Sequence, residues 1–173
     1  MKKGRGTILI VEDNLNEQVL IKHVLQNLGV TDAIQAVDDG VDAISYLKGE
    51  GIYSDRNQYS FPTFLLVDLK MPILNGLELL LFLKRSRLIV VPTIIFTSSA
   101  DPDDIKKAYL FGANAYHVKP IAMEGLQDQL KMIYHYWSHV ELPDLDIHGN
   151  PVPTDSSGKL SDQMRHPIMF NLQ

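Results

Sequence analysis

The sequence holds 173 residues, of which 45% are hydrophobic and 21% charged, so a largely disordered chain and a pair of full-sized catalytic domains are both excluded. A formal net charge of −5 gives no long-range attraction for a polyanion, which sets aside general nucleic-acid binding and adhesion to an anionic membrane. The absence of cysteine excludes a disulfide framework, thiolate zinc sites and thiol catalysis, and suits the reducing cytoplasm.

Residues 1–6 read as a short N-terminal extension whose basic start precedes an apolar run, Ile8 to Val11, too short for a signal-peptide core. Residues 7–11 read as a strand buried on both faces, after which Asn14 caps a helix carrying Leu15, Val19, Leu20, Val24, Leu25 and Leu28, ended by Gly29. Residues 33–37 form a second strand. Val41, Ile44, Tyr46 and Leu47 then give a second helix, closed by Gly49 and Gly51, and a polar surface loop follows over residues 51–60. Residues 64–67 form a third strand stopped by Asp68, and Leu77, Leu80, Leu81, Leu83 and Leu88 a third helix. Residues 93–96 give a fourth strand, residues 101–111 a fourth helix with Pro102 in its first turn, and residues 115–118 a fifth strand. The last helix covers residues 122–141, with Leu126, Leu130, Ile133, Trp137 and Val140 on one stripe, and stops before Pro143. Beyond it, residues 143–173 read as a tail without an output domain, although Pro167-Ile168-Met169-Phe170 is apolar enough to dock somewhere.

Short apolar strands alternating with helices imply an α/β domain, 7–142, with a doubly wound five-stranded parallel sheet, (βα)5. Ligands of such sheets bind outside the carboxyl ends of the strands. Here those ends carry Glu12 and Asp13, Asp68, Thr97 and Ser98, and Lys119. Three carboxylates converging at one rim repel one another unless a hard divalent cation neutralises them, and Mg²⁺ is the natural one. A lysine and a hydroxyl facing a metal-bound carboxylate make a cage for a tetrahedral anion, which points to phosphoryl transfer onto Asp68.

The motifs Ile8-Leu9-Ile10-Val11-Glu12-Asp13-Asn14, Leu65-Leu66-Val67-Asp68-Leu69-Lys70-Met71-Pro72, Phe96-Thr97-Ser98-Ser99 and Tyr116-His117-Val118-Lys119-Pro120 resemble those of the receiver domains of two-component response regulators. The resemblance covers about residues 7–141 and implies a flavodoxin-like receiver fold, with Asp68 as acceptor of a phosphoryl group from a sensor histidine kinase. It further implies that Asp13, Asp68 and the backbone carbonyl of Lys70 hold Mg²⁺, with Glu12 acting through water. The resemblance likewise implies that Thr97, Ser98 and Lys119 bind the phosphate, that Tyr116 is the switch aromatic expected to turn inward as Thr97 moves, and that the Lys119-Pro120 bond is expected to be cis. By the same resemblance, kinase docking is expected on Asn16, Glu17, Leu20 and Ile121. Asp39-Gly40-Val41-Asp42-Ala43 and Tyr136-Trp137-Ser138-His139-Val140 are similar to the stand-alone regulators that serve phytochromes, which points to a phytochrome-linked kinase and an output by contact with a further protein. That subclass also pairs through the fourth helix, fifth strand and fifth helix. Leu110 and Phe111, about 100° apart on the fourth helix, cannot both point into one core, and Tyr134 and Tyr136 add apolar area to the same homodimer face.

Other readings fit less well. A phosphate-independent interaction module would not need all of Glu12, Asp13, Asp68, Thr97 and Lys119. An aspartyl phosphatase of similar fold would place an acid where Lys70 stands, and a flavin-phosphate loop would not begin with Glu12 and Asp13. Gly4-Arg5-Gly6 precedes its strand and is no phosphate loop. His135 and His139 have zinc spacing but no third ligand in view.

Overall fold

A computed structural model describes residues 6–86, 91–143, 145, 146 and 149. Its elements, in chain order, are β1 (Thr7–Val11), α1 (Leu15–Asn27), β2 (Ala33–Val37), α2 (Gly40–Lys48), β3 (Pro62–Val67), α3 (Gly76–Arg85), β4 (Thr93–Thr97), α4 (Pro102–Leu110), β5 (Ala115–Val118) and α5 (Met123–His139). The strands pair in parallel in the order β2-β1-β3-β4-β5, so the order reverses at the β1–β3 pair. This is the doubly wound sheet expected from the alternation of strand and helix. Leu88 and the apolar stretch of the tail, residues 167–170, lie outside the described residues.

Residues alternate along each strand between two cores. Leu9, Val11, Leu65, Val67 and Ile95 pack with Tyr46, Leu47, Leu79 and Leu80 on one face, whereas Ile8, Ile10, Leu66, Ile94 and Phe96 pack with Ile21, Val24, Leu25, Leu126, Leu130 and Ile133 on the other. Each such Leu or Ile contributes about 1.5–3 kcal/mol by leaving water. That burial on both faces holds the sheet rigid under its rim.

The α1 stripe differs from the sequence reading. Leu15 and Val19 are 68% and 58% exposed, and the buried face is Gln18, Ile21, Val24 and Leu25. At 100° per residue, Leu15 and Val19 sit roughly 120° and 160° around the helix from Ile21, so they cannot share its core. The 51–60 segment is also more than a solvated loop. It opens with a 3-10 turn at Gly51–Tyr53, and the rings of Tyr46, Tyr53 and Tyr59 cluster with centroids 5.1–5.9 Å apart. The Arg56 guanidinium donates to the carbonyls of Tyr46, Leu47 and Tyr59 at 2.8, 2.6 and 3.1 Å, tying the loop to the last turn of α2. The Lys119–Pro120 bond is trans, as is every peptide bond of the described residues, which corrects the cis expectation. The sheet ladder does the aiming instead, because the Lys119 N–H donates to the Thr97 carbonyl at 2.7 Å.

Among the described residues, one non-glycine backbone position lies in the left-handed region. Ile73, in the β3–α3 connection, has φ 65° with its side chain 82% exposed. A β-branched residue in the left-handed region costs about 1–2 kcal/mol, and an exposed one recovers none of it through burial. Ile73→Asn is expected to raise stability by about 1 kcal/mol, seen as a thermal midpoint roughly 2–4 °C higher. An unchanged or lower midpoint would show that the isoleucine contributes through packing.

Candidate functional site at the carboxyl rim of the sheet

Ladder bonds continue one residue past the strands and fix where the rim side chains begin. The Glu12 N–H donates to the Val37 carbonyl at 3.0 Å, and the Asp68 N–H to the Val11 carbonyl at 2.9 Å. With the Lys119 contact to Thr97, these bonds place Glu12, Asp68 and Lys119 around the β1–β3 switch point, the crevice where open α/β sheets bind ligands. Glu12 and Asp68 are buried and Asp13 is exposed, and one carboxylate oxygen of each lies within 4.8 Å of the others. Lys119 reaches across from β5. Its Nζ lies 2.6 Å from Glu12 Oε2 and 3.4 Å from Asp68 Oδ1, and it also pairs directly with Glu17 on the first turn of α1. The Lys70 N–H holds the other Asp68 oxygen at 2.8 Å, and the Asn14 N–H holds Glu12 Oε1 at 3.1 Å.

Burial pushes the Glu12 carboxyl above the usual carboxylate range, with the Lys119 hydrogen bond and charge offsetting part of the rise. Burial alone would lower the Lys119 ammonium, but its bonds to Glu12 and Glu17 and the nearby Asp68 charge together hold it above its ordinary value. The cluster is therefore an all-oxygen donor set of the kind a hard divalent cation takes, beside a lysine whose charged form its carboxylate neighbours favour. A depression of about 470 Å³ opens next to it, lined by Asp13, Lys70, Met71, Asn75 and Asp104 among others. A larger cavity of about 830 Å³ lies around Phe61, Leu83, Trp137 and Pro143, where it includes none of these charged groups. Of the two, the smaller is the one lined by a member of the carboxylate group, Asp13.

Thr97 is fully buried at the end of β4, and its Oγ1 accepts from the Ser99 N–H at 3.4 Å. Ser98 is exposed between them. Tyr116 is turned inward: its hydroxyl donates to the Ser99 carbonyl at 3.0 Å and its ring packs on the core cluster under α2 and α3. Ser99 thereby joins three parts of the site, because its own hydroxyl donates to Asp104 of α4 at 2.7 Å. Sequence reasoning passes over Ser99 and Asp104 because the link between the β4 end and α4 exists only once Tyr116 is placed. It also misses Gln18, whose buried amide donates to the Glu12 carbonyl at 2.7 Å and to Asp38 at 2.8 Å.

Of the residues expected at surfaces, Asn16 and Ile121 are exposed and Leu20 is partly buried against the core. Leu15 and Val19 enlarge the apolar area on α1. On the other side, Leu110 is 58% exposed, while Phe111 packs against the core, so the two adjacent residues divide as their angular separation requires. Tyr109 on α4 and Met132 and Tyr136 on α5 are exposed as well, but Tyr134 is not part of that surface. It packs on the α1–α5 core and its hydroxyl donates to Asp32 at 2.9 Å, with burial and that bond pushing its pKa up to about 12. The rings of His135 and His139 on α5 are tilted at 46° with centroids 4.5 Å apart, and His139 Nδ1 lies 2.7 Å from the His135 carbonyl oxygen.

Residues 8–131 match the model of the response regulator receiver domain family. The probable methanogenesis regulatory protein FilR2 of Methanothrix harundinacea is 36% identical over 131 residues, 75% of this chain and 82% of its own. The crystal structure of the phosphorylated cyanobacterial phytochrome response regulator RcpA superposes with a TM-score of 0.73 at 32% identity, covering 80% of this chain and 98% of that one. The Mn²⁺-bound form of response regulator Rcp1 superposes with a TM-score of 0.69 at 26% identity, covering 80% and 99%.

Proposed function

This chain belongs to the response regulator receiver domain family, and from that premise we propose that Asp68 is its phosphoacceptor, loaded by a sensor histidine kinase with Mg²⁺ bound at Asp13 and Asp68. The observation that carries the reading is the rim geometry: Asp68 lies 3.4 Å from the Lys119 ammonium and within the same carboxylate group as Glu12 and Asp13. An Asp68 oxygen attacks phosphorus, the phosphorus–nitrogen bond of the phosphohistidine breaks, and the electron pair leaves on the imidazole. A divalent cation bound there supplies charge neutralisation for the carboxylates and the arriving phosphoryl oxygens. Asp13, Asp68 and the Lys70 carbonyl are its proposed protein ligands, with Glu12 acting through water. Lys119 pairs with the phosphoryl group, Thr97 donates its hydroxyl to it, and the short Ser98 leaves it room. Movement of Thr97 toward that group is coupled to Tyr116 through Ser99, which both contact.

Incubation with acetyl phosphate and Mg²⁺ is expected to add one phosphoryl group by intact mass, and Asp68→Asn to abolish the addition. Undiminished labelling of that variant would refute the assignment.

Kinase docking is proposed on α1 and the β5–α5 connection, through Asn16, Glu17, Leu20 and Ile121 together with the exposed Leu15 and Val19. Because Glu17 is bonded to Lys119, a docking test uses Leu20→Ala and Ile121→Ala. Each is expected to slow transfer from the kinase about tenfold, the loss of one buried apolar contact, with acetyl phosphate labelling unchanged. A parallel fall in both reactions would place the defect in the site itself.

A phytochrome-linked kinase is the proposed phosphoryl donor, in keeping with the likeness to RcpA, and a further protein contacted by the phosphorylated form is the proposed output. Homodimerisation is proposed through Leu110 and the exposed part of α4–β5–α5, with Phe111 supporting Leu110 from the core. Sedimentation of wild type and Leu110→Asp, with and without phosphorylation, checks this: a wild-type dimer should become monomeric in the variant. A dimer indifferent to the substitution would move the interface elsewhere.

A further inference from the structure

Every donor of Lys119 is already engaged. An ammonium has three donors, and here it faces three carboxylates: Glu12 at 2.6 Å, Glu17 in direct contact and Asp68 at 3.4 Å. A phosphoryl group on Asp68 brings three strong acceptor oxygens and additional negative charge to the same ammonium. The phosphoryl group therefore competes with the carboxylates for the ammonium, and the structure distinguishes which of them yields most readily. The Glu12 side chain is 4% exposed and tied by the Asn14 N–H, whereas the Glu17 side chain is 43% exposed. Turning Glu17 into water costs less than releasing Glu12, since the Glu17 carboxylate is already partly hydrated while the Glu12 carboxylate is nearly inaccessible. Its place in the first turn of α1 keeps the free carboxylate in a favourable helix-dipole position.

Resting on the reading of Asp68 as phosphoacceptor, we infer that Glu17 is a positioning residue that competes with the phosphoryl group for Lys119. In the unphosphorylated protein it draws the ammonium toward α1 and screens its charge from an arriving phosphate. Phosphorylation then proceeds with exchange of the Glu17–Lys119 pair for a phosphate–Lys119 pair. In labelling by acetyl phosphate, the bond from Asp68 oxygen to phosphorus forms as the phosphorus–oxygen bond to acetate breaks and acetate leaves, so Glu17 neither gains nor loses a proton. Its effect is on how readily Lys119 meets the phosphoryl oxygens.

The test uses the full chain with saturating Mg²⁺ in three forms: wild type, Glu17→Gln and Glu17→Asp. Two readouts are compared, the second-order rate of labelling by acetyl phosphate from intact mass, and the affinity for beryllofluoride, which occupies the phosphoryl position without a chemical step. Glu17→Gln is expected to raise both about three- to tenfold, the effect of removing one nearby charge at a solvent-accessible rim. Glu17→Asp keeps the charge but retracts it by one methylene, and should fall between the other two. Its thermal midpoint and that of Glu17→Gln should stay close to wild type, because the glutamate is not part of the core. Equal or lower values for Glu17→Gln in both readouts would overturn the inference. So would a faster rate with unchanged beryllofluoride affinity, which would mean only remote repulsion of the donor. If wild type neither labels nor binds beryllofluoride, the phosphoacceptor reading fails and this inference with it, a result distinguishable from the others because all three forms are then silent.

Discussion

Lys119→Met is expected to destabilise the metal-free protein by about 3 kcal/mol at neutral pH and to make Mg²⁺ binding tighter at the same time. The ammonium is 14% exposed and bonded to Glu12, which is nearly inaccessible, so its loss leaves Glu12 and Asp68 as buried charges with no cation between them. Methionine fills much of the lysine stem's volume, which confines the defect to charge. Breaking a buried pair by removing one partner costs about 3–5 kcal/mol, and the partial exposure of the third partner, Glu17, places this case near the lower end.

The defect should depend on pH with a definite sign. Burial already raises the Glu12 carboxyl and Lys119 holds it back, so without the lysine its folded-state pKa rises further above the unfolded value. An acid with a raised folded pKa binds its proton more tightly when folded, so the variant gains on wild type as pH falls from 7 toward the unfolded carboxylate range. Millimolar Mg²⁺ should return much of the lost stability, since the cation takes over the neutralising role and no longer competes with an ammonium. Thermal melts of both proteins with and without Mg²⁺ at two pH values decide the matter. Equal midpoints in the absence of metal would show that the lysine does not neutralise the cluster.

The fold and the four rim motifs are legible in the sequence because each depends on a local pattern. Five short apolar runs, each followed by a polar residue and a helical stripe, leave little choice but a parallel sheet with polar groups at its carboxyl ends. Asp68, Glu12, Thr97 and Lys119 can be placed together from their positions after strands, and they are together. What stays hidden depends on direction around a helix or on partners distant in sequence. Leu15 and Val19 share the hydrophobicity of Val24 and Leu25, and only the angular phase set by the sheet shows that they face outward. Gln18 has the composition of a surface residue, yet it is the polar group that bridges β1 to Asp38. Tyr134 and Tyr136 look equivalent two positions apart, but the first is tied to Asp32, 102 residues away, while the second is exposed. Glu17 carries a docking expectation, and its pairing with Lys119, 102 residues away, emerges only in the folded chain.

Gly76→Ala is the second large effect, and it tests whether the phosphoacceptor is positioned by close approach of the backbone. Gly76 opens α3, and its N–H donates to the Leu69 carbonyl at 3.1 Å. A Cβ there would meet the Asp68 carbonyl oxygen at 2.4 Å and the Leu69 Cα at 3.0 Å, both backbone atoms that cannot rotate away. Alanine gains about 1 kcal/mol of helix propensity over glycine, which is far too little to offset a contact of that kind. Relief requires the β3–α3 connection to shift, and the first thing it displaces is the backbone carrying Asp68 and the Lys70 N–H that orients its carboxylate. The expected result is a loss of about 2–3 kcal/mol of stability and labelling by acetyl phosphate at least about tenfold slower, because small misplacements of a reacting group cost rate steeply. Gly51→Ala is the control. Gly51 has φ 59°, and a Cβ on it would meet nothing within 4 Å, so its alanine variant should lose about 1 kcal/mol through backbone strain alone and label at the wild-type rate. Normal labelling by Gly76→Ala would show that Asp68 is held by its side-chain contacts and not by this approach, whereas slow labelling by both variants would trace the effect to general loss of stability.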